Sequence, residues 1–354
     1  MKKFLFLAIA AAAMTSCSQD EVLEVAQKQA ISFGNAFVGN ATRAAIDNTY
    51  SGNTALTKFN VYGTVTGTGT AYIFQGDEVT GKIGDPTWSC NNVQYWIPQA
   101  TYKFMAIADA ESVSPANDLP TTISYKDATT AADAVQKDLL LSELETNGIR
   151  TVTTDESATP TENPVEFTFS HLLSKAKFTF THSAYQNATG TTYTFDVKNI
   201  RFVNVKKEGT YTIATKNWEA TGTGSDLLFG DLEAPIAVDA LTKESANERV
   251  FVPVKYTATA PLTAKFTVET LINGTVVTSK NYTATIQCDF EAGKAYNFNV
   301  ALSNTKIDFT VVKVNSWDDE IDVTTTTTPA TITVTPDAQQ PAQGNDQNTG
   351  GLGQ

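Results

Sequence analysis

The chain has 354 residues, which exceeds one typical domain and predicts two. Its formal net charge of -13 argues against a surface that binds nucleic acid or anionic membranes, because no basic face is available to neutralise phosphates. Thr, Val, Phe and Tyr are plentiful and few segments have a helical period, so the sequence predicts a mostly β protein.

Residues 1–17 have the pattern of a secretory signal peptide. Two lysines precede an apolar run that is shorter than the roughly 20 residues of a permanent membrane span. The run is followed by a small residue and Cys17, which resembles a bacterial lipobox, in which Cys17 is acylated and becomes the new N-terminus. The alternative is an ordinary signal peptide with a coincidental Cys. Residues 18–43 are predicted to be a tether and a removable first strand.

A strand-like segment and a candidate cleavage site lie next to each other after this tether. Ile31, Phe33 and Phe37 share one parity, which is typical of a strand that is buried on one face. Arg43 and Ala44 lie in a run of small residues typical of the exposed loops that proteases cut. Cleavage between these two residues would leave an open sheet edge and a groove that another strand could fill.

The body of the chain is predicted to form two domains, residues 44–160 and 161–317. Within residues 88–108, apolar side chains occupy both parities of a strand, which predicts a central position in the first sheet. The boundary is placed in residues 147–163, because this segment is polar, rich in Thr and ends near two prolines.

Two local patterns predict how the second half of the chain folds. Phe167 and Phe169 are odd-numbered, whereas the next aromatic pair is even-numbered, so the apolar face shifts near residues 172–174. A bulge, or a strand that changes partner sheets, would produce this shift. Asn273 and Gly274 separate two strand-like runs, and this pair is typical of two-residue type I′ hairpins.

The C-terminal region, residues 318–335, is predicted to hold candidate donor strands. Ile321 and Val323 are apolar at odd positions. After Pro329, the apolar residues fall at even positions, and the proline suits a break between two short strands. These residues are Ala330, Ile332 and Val334. Residues 336–354 are rich in Pro, Gln, Gly and Asn and are predicted to form a flexible tail.

The sequence contains no pattern that indicates catalysis, a cofactor or a metal site. It lacks a G-x-S-x-G motif, a phosphate-binding loop and metal-ligand spacing, so we expect no enzyme, no cofactor and no metal. His171 is in phase with a buried strand and is predicted to be a hydrogen-bonded core or interdomain residue, whereas His182 is predicted to be exposed. The acidic residues 318–322 are interpreted as a solvated turn rather than a calcium site.

The remaining cysteines and two tryptophans also allow predictions. Cys90 and Cys288 are far apart in sequence, and a disulfide between them would require Cα atoms within about 7 Å. Cys288 alternates in phase with apolar neighbours and is predicted to point into a core. Trp96 and Trp218 lie in aromatic-rich segments and are predicted to be largely buried.

Several segments together resemble the fimbrillins, pilin subunits that some anaerobic Gram-negative bacteria export as lipoproteins. Each segment alone is a weak match, but their order and spacing cover most of the chain. The matching segments are Trp88 with Tyr95-Trp96-Ile97-Pro98 and Tyr102-Lys103-Phe104, Phe167 to Phe180 with its F-x-H-L-L-S-K-A core, Ile200 to Trp218, Val250 to Pro253, Ala292 to Tyr296, and Val311 to Trp317.

The resemblance implies two transthyretin-like β-sandwich domains arranged in tandem. It also implies that the lipoprotein reaches the cell outer membrane, that a protease cuts after Arg43, and that a C-terminal strand of a neighbouring subunit fills the groove. The implied partners are other copies of this chain and related fimbrial subunits in a head-to-tail polymer, together with the processing protease. Contact with the membrane is implied only through the lipid anchor before cleavage, and the implied role in the extracellular fimbria is adhesion or colonisation.

Two alternatives to a stalk subunit remain open from the sequence. A surface-anchored β-sandwich lipoprotein could bind glycans through its aromatic residues and would keep Cys17. An anchor subunit should lack the cleavage site, and a tip subunit should lack a free C-terminal donor. The presence of both features favours a stalk or accessory subunit.

Overall fold

The structure is a computed structural model that describes residues 30–38, 56–66, 69–82, 87–97, 100–114, 119–142, 149–151, 164–182, 193–232, 236–237, 243–244, 247–302, 307–316 and 331–336. All regular elements of these residues are β-strands, which confirms the predicted all-β class. Within the same ranges, no helix is long and apolar enough to cross a membrane.

The first ten strands form most of the N-terminal half. They are β1 (Phe33–Val38), β2 (Lys58–Thr66), β3 (Thr70–Thr80), β4 (Ser89–Cys90), β5 (Thr101–Ala108), β6 (Ser112–Val113), β7 (Thr122–Lys126), β8 (Leu140–Ser142), β9 (Ile149–Thr151) and β10 (Val165–His171). Eight of them belong to one sheet in the order β1-β10-β8-β5-β2-β3-β4, with β9 also paired to β5. As predicted, β5 lies inside this sheet and is buried on both faces.

The two ends of this sheet approach each other and enclose a core. Isolated bridges join Ala30 to Tyr95 and Phe33 to Trp88, so the segment around β4 lies next to β1. Aromatic rings from strands that are distant in the sheet order meet inside, as when the ring of Phe59 on β2 contacts that of a β10 phenylalanine. The N-terminal core is therefore closed partly by the first described residues of the chain.

The remaining strands form the C-terminal half and one shared sheet. They are β11 (Ser174–His182), β12 (Tyr193–Val205), β13 (Glu208–Thr212), β14 (Asn217–Thr221), β15 (Ser225–Gly230), β16 (Ile236–Ala237), β17 (Lys243–Glu244), β18 (Arg249–Phe251), β19 (Lys255–Tyr256), β20 (Leu262–Ile272), β21 (Thr275–Asp289), β22 (Lys294–Leu302), β23 (Ile307–Ser316) and β24 (Thr331–Pro336).

Two sheets pack face to face around the core of the C-terminal half. One has the order β17-β11-β22-β23, with β18 also on β11, and the other has the order β15-β12-β20-β21-β19, with β16 and β24 at its margins. Rings from both sheets meet between them: Phe178 on β11 lies 5.3 Å from Phe202 on β12, measured between ring centroids. Alternating inward residues on long strands account for this two-layer arrangement.

The chain changes sheets where the sequence predicted a shift of the apolar face. β10 ends at His171 in the N-terminal sheet, and β11 begins at Ser174 in the C-terminal half. The amide of Leu172 donates to Leu139, whereas the carbonyl of Leu173 accepts from Gly293. The prediction of a strand that changes partner sheets is confirmed. The domain ranges 44–160 and 161–317 stay a prediction, and the pairing places the change of sheet at these two leucines.

A four-stranded sheet, β14-β13-β7-β6, joins the two halves. Tyr211 on β13 pairs with Ile123 on β7, although these residues come from different halves of the chain. The sheet covers a third core that combines side chains of both halves, including Met105 from β5 and Val250 from β18. The junction between the halves is thus a packed interior.

A buried arginine reinforces this junction. Arg249 is 2% exposed, and its guanidinium donates to the carbonyls of Ala131, Ala132 and Ala134 in the β7–β8 loop at 2.8 to 3.2 Å. Burial lowers the pKa of Arg249 from its usual range. Next to it, the side chain of Gln136 accepts from and donates to the backbone of Val250. We call these contacts the junction clasp.

Candidate functional site

Residues 30–33 lie between two segments of the N-terminal sheet and form backbone hydrogen bonds with both. On one side, the amide of Trp88 donates to the carbonyl of Phe33 at 2.7 Å. On the other side, the amide of Val165 donates to the carbonyl of Ser32 at 2.8 Å. β1 then continues in parallel beside β10. The segment therefore satisfies backbone groups on two edges that its removal would expose.

The side chain of Phe33 fills the groove between these edges. It is 1% exposed, and its ring centroid lies 5.2 Å from that of Phe74, 6.0 Å from that of Phe167 and 6.4 Å from that of Phe104. Ile31 is also buried in the N-terminal core. Both residues point inward as their shared parity predicted. Edge-to-face and stacked contacts of this kind add to the burial of apolar area.

The opposite wall of the groove depends on a glycine. A Cβ on Gly63 would lie 3.0 Å from ring atoms of both Phe74 and Phe104, the two rings that contact Phe33 from β3 and β5. Gly63 therefore lets the rings approach the backbone of β2. Only the structure gives Gly63 this role.

The register of β1 shifts after Phe33. Between Phe33 and Ala36 the pairing with β10 is irregular, so Ala36 lies beside Phe167 and Phe37 lies beside Thr168. Val165 and Phe167 are buried, whereas Thr168 is only partly covered. The side chain of Phe37 lies outside the described residues, and its predicted place in the groove stays a prediction.

The structure describes only some of the other predicted processing and donor residues. Residues that the structure does not describe are Cys17, Arg43, Ala44, Ile321, Val323 and Ala330. Ile332 and Val334 lie in β24, which pairs antiparallel with β21. Val334 is aligned with Ala284, and its half-buried side chain packs against the C-terminal core.

The two predicted exchange elements belong to different sheets. β1 is part of the N-terminal sheet, and β24 lies on the margin of a C-terminal sheet. Within one chain the structure therefore does not bring Ile332 and Val334 to the groove that Phe33 fills. A contact between these elements would have to form between two copies.

The tryptophans only partly agree with the prediction. Trp96 and Trp218 are half-buried rather than largely buried, because each packs at the margin of a core. The ring of Trp96 lies 4.7 Å from that of Tyr102, and the indole of Trp218 donates to the carbonyl of Leu172 at 2.8 Å. Trp88, whose burial the sequence did not distinguish, is 4% exposed.

His171 is a buried, hydrogen-bonded residue, as predicted. It is 6% exposed, and its Nδ1 lies 2.6 Å from a carboxylate oxygen of Asp138, which is also buried. The pair lies where β10 ends, at the change of sheet. The side chain of His182 lies outside the described residues.

The cysteines are not paired with each other. Cys90 and Cys288 are both free and half-buried. Cys288 packs against the C-terminal core, as predicted, and burial raises the pKa of its thiol to about 12. In the part of the chain that the structure describes, no group of three His, Cys, Asp or Glu side chains could hold a metal ion.

The closed N-terminal sheet, the C-terminal sandwich and the strand that fills a core groove define an all-β protein, and comparisons with known proteins identify its family. A family model described as fimbrillin-like matches residues 42–317. The chain therefore belongs to the fimbrillin-like family. A comparison with curated proteins finds no match.

Two of the solved structures that this chain matches are from Bacteroides species. A fimbrial protein from Bacteroides vulgatus has a TM-score of 0.55 and 15% identity, and the alignment covers 81% of this chain and 99% of that one. A candidate cell adhesion protein from Bacteroides ovatus is 18% identical over 83% of this chain and 99% of its own, with a TM-score of 0.48. The first of these similarities supports the fold assignment.

Proposed function

We propose that this chain is a structural subunit of a surface fimbria. In this proposal it is exported as a lipoprotein through Cys17, cleaved between Arg43 and Ala44, and polymerised by donor-strand exchange with copies of itself or related subunits. Its family and the fimbrial protein of similar fold support a role in adhesion at the cell surface. The processing protease is the second partner that the proposal requires.

The observation that carries the proposal is the groove that Phe33 fills. Residues 30–38 precede Arg43, contribute buried side chains to the N-terminal core and satisfy strand edges on both sides. Their removal would expose an apolar groove and unpaired backbone groups, which a strand from another chain can satisfy again. Such a contact is head-to-tail and does not close, so it yields a filament.

The range of the family match supports the removal of β1 and the donation of β24. The matched range begins at residue 42, after β1, and ends at residue 317, before β24. The segment to be removed and the segment to be donated therefore both lie outside the shared body. β24 is a short marginal strand that pairs only with β21 among the described residues, so its release would leave the other strands of that sheet paired.

One observation favours a second candidate function. Tyr95 is 47% exposed next to the half-buried Trp96, and amphipathic rings at a surface are suited to stacking on sugars. In this alternative, the protein is a glycan-binding lipoprotein that remains anchored through Cys17. The fate of the N-terminus separates the two functions.

Mass spectrometry of material sheared from the cell surface tests the proposal. We expect filaments whose subunits begin at Ala44, whereas a binding lipoprotein would retain acylated Cys17. Arg43→Ala should leave folded, uncut monomers, because β1 still fills the groove, and Thr42→Ser provides a control that alters the same loop but keeps the arginine. Filaments made of uncut Arg43→Ala protein would contradict the proposal.

A further inference from the structure

Two exposed apolar surfaces lie at opposite ends of the molecule. The first, which we call the strip, consists of Val93, Tyr95 and Ile97, which are 56%, 47% and 53% exposed. The second, which we call the hairpin tip, is the turn between β20 and β21 with Val276 and Val277, which are 47% and 50% exposed. Neither surface is explained by the cores or by the groove.

The strip lies at the end of the N-terminal half that is remote from the junction. β10 reaches the junction at its C-terminal end, and β1 runs parallel to it, so the residues before β1 lie at the far end. There, Ala30 is bridged to Tyr95, and the amide of Ile31 donates to the carbonyl of Gln94 at 2.8 Å. The strip therefore adjoins the entrance of the strand that fills the groove.

The hairpin tip lies at the other end of the molecule. β21 ends at Asp289, and Ser174 at the start of β11 donates to the carbonyl of Glu291 just beyond it, so this end of β21 adjoins the junction. The other end, at Thr275, is 14 residues away, a length of about 45 Å in an extended strand. The strand geometry thus places the tip far from the N-terminal half.

The β21 side of the hairpin is open at its tip, whereas β20 stays paired with β12 up to Ile272. All residues from Thr275 to Asn281 are exposed, on both parities of the strand. β24 covers the edge of β21 only from Tyr282 onward, and among the described residues no strand pairs with that edge nearer the tip. The tip is held by the turn at Asn273 and Gly274, whose φ angles of 48° and 80° are those of a type I′ turn.

Both surfaces lack charge although the chain is strongly acidic. Residues 91–97 and 272–279 contain no Asp, Glu, Lys or Arg, whereas the whole chain has a formal net charge of -13. Two copies that meet at charged acidic surfaces would repel each other, and uncharged apolar surfaces avoid this cost. The occupant that fits each surface best is the opposite end of another copy.

We propose that the hairpin tip of one subunit packs against the strip of the next subunit. The inference rests on the proposed donor-strand assembly and deepens it, since β24 runs along β21 towards the tip and would fill the site of β1 beside the strip. A contact between so few side chains is too small to hold two proteins together on its own. It acts only with the donor strand, and it aligns the incoming subunit.

Paired cysteines in filaments from cells test this contact. In a background that lacks the two native free cysteines (Cys90→Ala, Cys288→Ala), oxidation of the Tyr95→Cys, Val277→Cys double variant should produce a ladder of linked subunits on a denaturing gel, and neither single variant should give one. The matched control is Tyr95→Cys with Val135→Cys, because Val135 is 59% exposed but lies in the β7–β8 loop at the junction. Filaments of the Tyr95, Val277 pair without a ladder would overturn the inference and leave the proposed function intact.

A second variant covers the case in which the paired cysteines prevent assembly. Val277→Asp should leave the monomer folded, because the side chain is exposed, and reduce filament formation by about tenfold, the factor that a typical interface residue produces. Val135→Asp should have no effect. Equal assembly by both Asp variants would overturn the inference, whereas absence of filaments from the unaltered chain would overturn the proposed function as well.

Discussion

Phe33 links the stability of the uncut chain to the site that assembly would use. Its ring is buried among Phe74, Phe104 and Phe167. We expect Phe33→Ala to lower the free energy of unfolding of the full chain by about 3 to 5 kcal/mol, because it leaves a cavity in the groove. Chemical denaturation of the full chain measures this loss.

The chain cut after Arg43 provides the control for this prediction. It lacks residue 33, so Phe33→Ala should have no effect on it, whereas Phe74→Ala should destabilise both forms because Phe74 belongs to the body. A loss of stability under about 1 kcal/mol in the full chain would show that β1 contributes little to the core.

Single residues also show how far parity can predict burial. Alternation correctly predicted that Ile31 and Phe33 point inward. It could not reveal the register shift before Ala36, because a shift depends on the partner strand and not on the sequence of β1. The half-burial of Trp96 and Trp218 likewise depends on whether neighbouring segments cover both sides of each ring.

Among the strands, β24 allows a test of the donor assignment. Ile332→Asp with Val334→Asp should abolish filaments, since each unpaired carboxylate buried in the apolar groove would cost on the order of several kcal/mol. Thr333→Asp with Thr335→Asp is the matched control, because these alternate positions are exposed on the same strand. The predicted tail, residues 336–354, begins one residue too early, because Pro336 belongs to β24, so deletion of residues 337–354 should leave assembly intact. Electron microscopy of cleaved protein decides the result, and filaments of the first variant would exclude β24 as the donor.

Local signals predicted several elements, whereas pairing between distant segments could not be predicted. The Asn273-Gly274 turn and the change of sheet after His171 follow from short sequence patterns. The pairing of β13 with β7 brings together residues about 90 positions apart, and no pattern in either strand specifies that partner. The prediction of a removable strand implies a groove. The hydrogen bonds from the amides of Trp88 and Val165 to this strand can be seen only in the structure.

At the scale of the whole molecule, the two halves share interior surface. The four-stranded sheet contains strands from both, and Gln136 in the N-terminal half exchanges two hydrogen bonds with the backbone of Val250 in the C-terminal half. Domains joined only by a linker move independently by default, but a large packed interface couples them. If the chain is a filament subunit, as proposed, load would pass through this packed interface rather than through a flexible connection.

This coupling predicts that the halves unfold together. Arg249→Ala should remove the arginine bonds of the junction clasp, leave partly buried carbonyls of the β7–β8 loop without this donor and open a cavity at a fully buried side chain, which should lower the free energy of unfolding by about 3 kcal/mol. Hydrogen exchange should then accelerate to the same extent in β5 of the N-terminal half and in β20 of the C-terminal half. Arg201→Ala is the control, because its 3.3 Å ion pair with Asp226 is partly open to solvent, and its loss should cost under about 1 kcal/mol. Faster exchange in β20 alone would show that the halves are separate cooperative units, since the loss of Arg249 would then affect only the half that contains it.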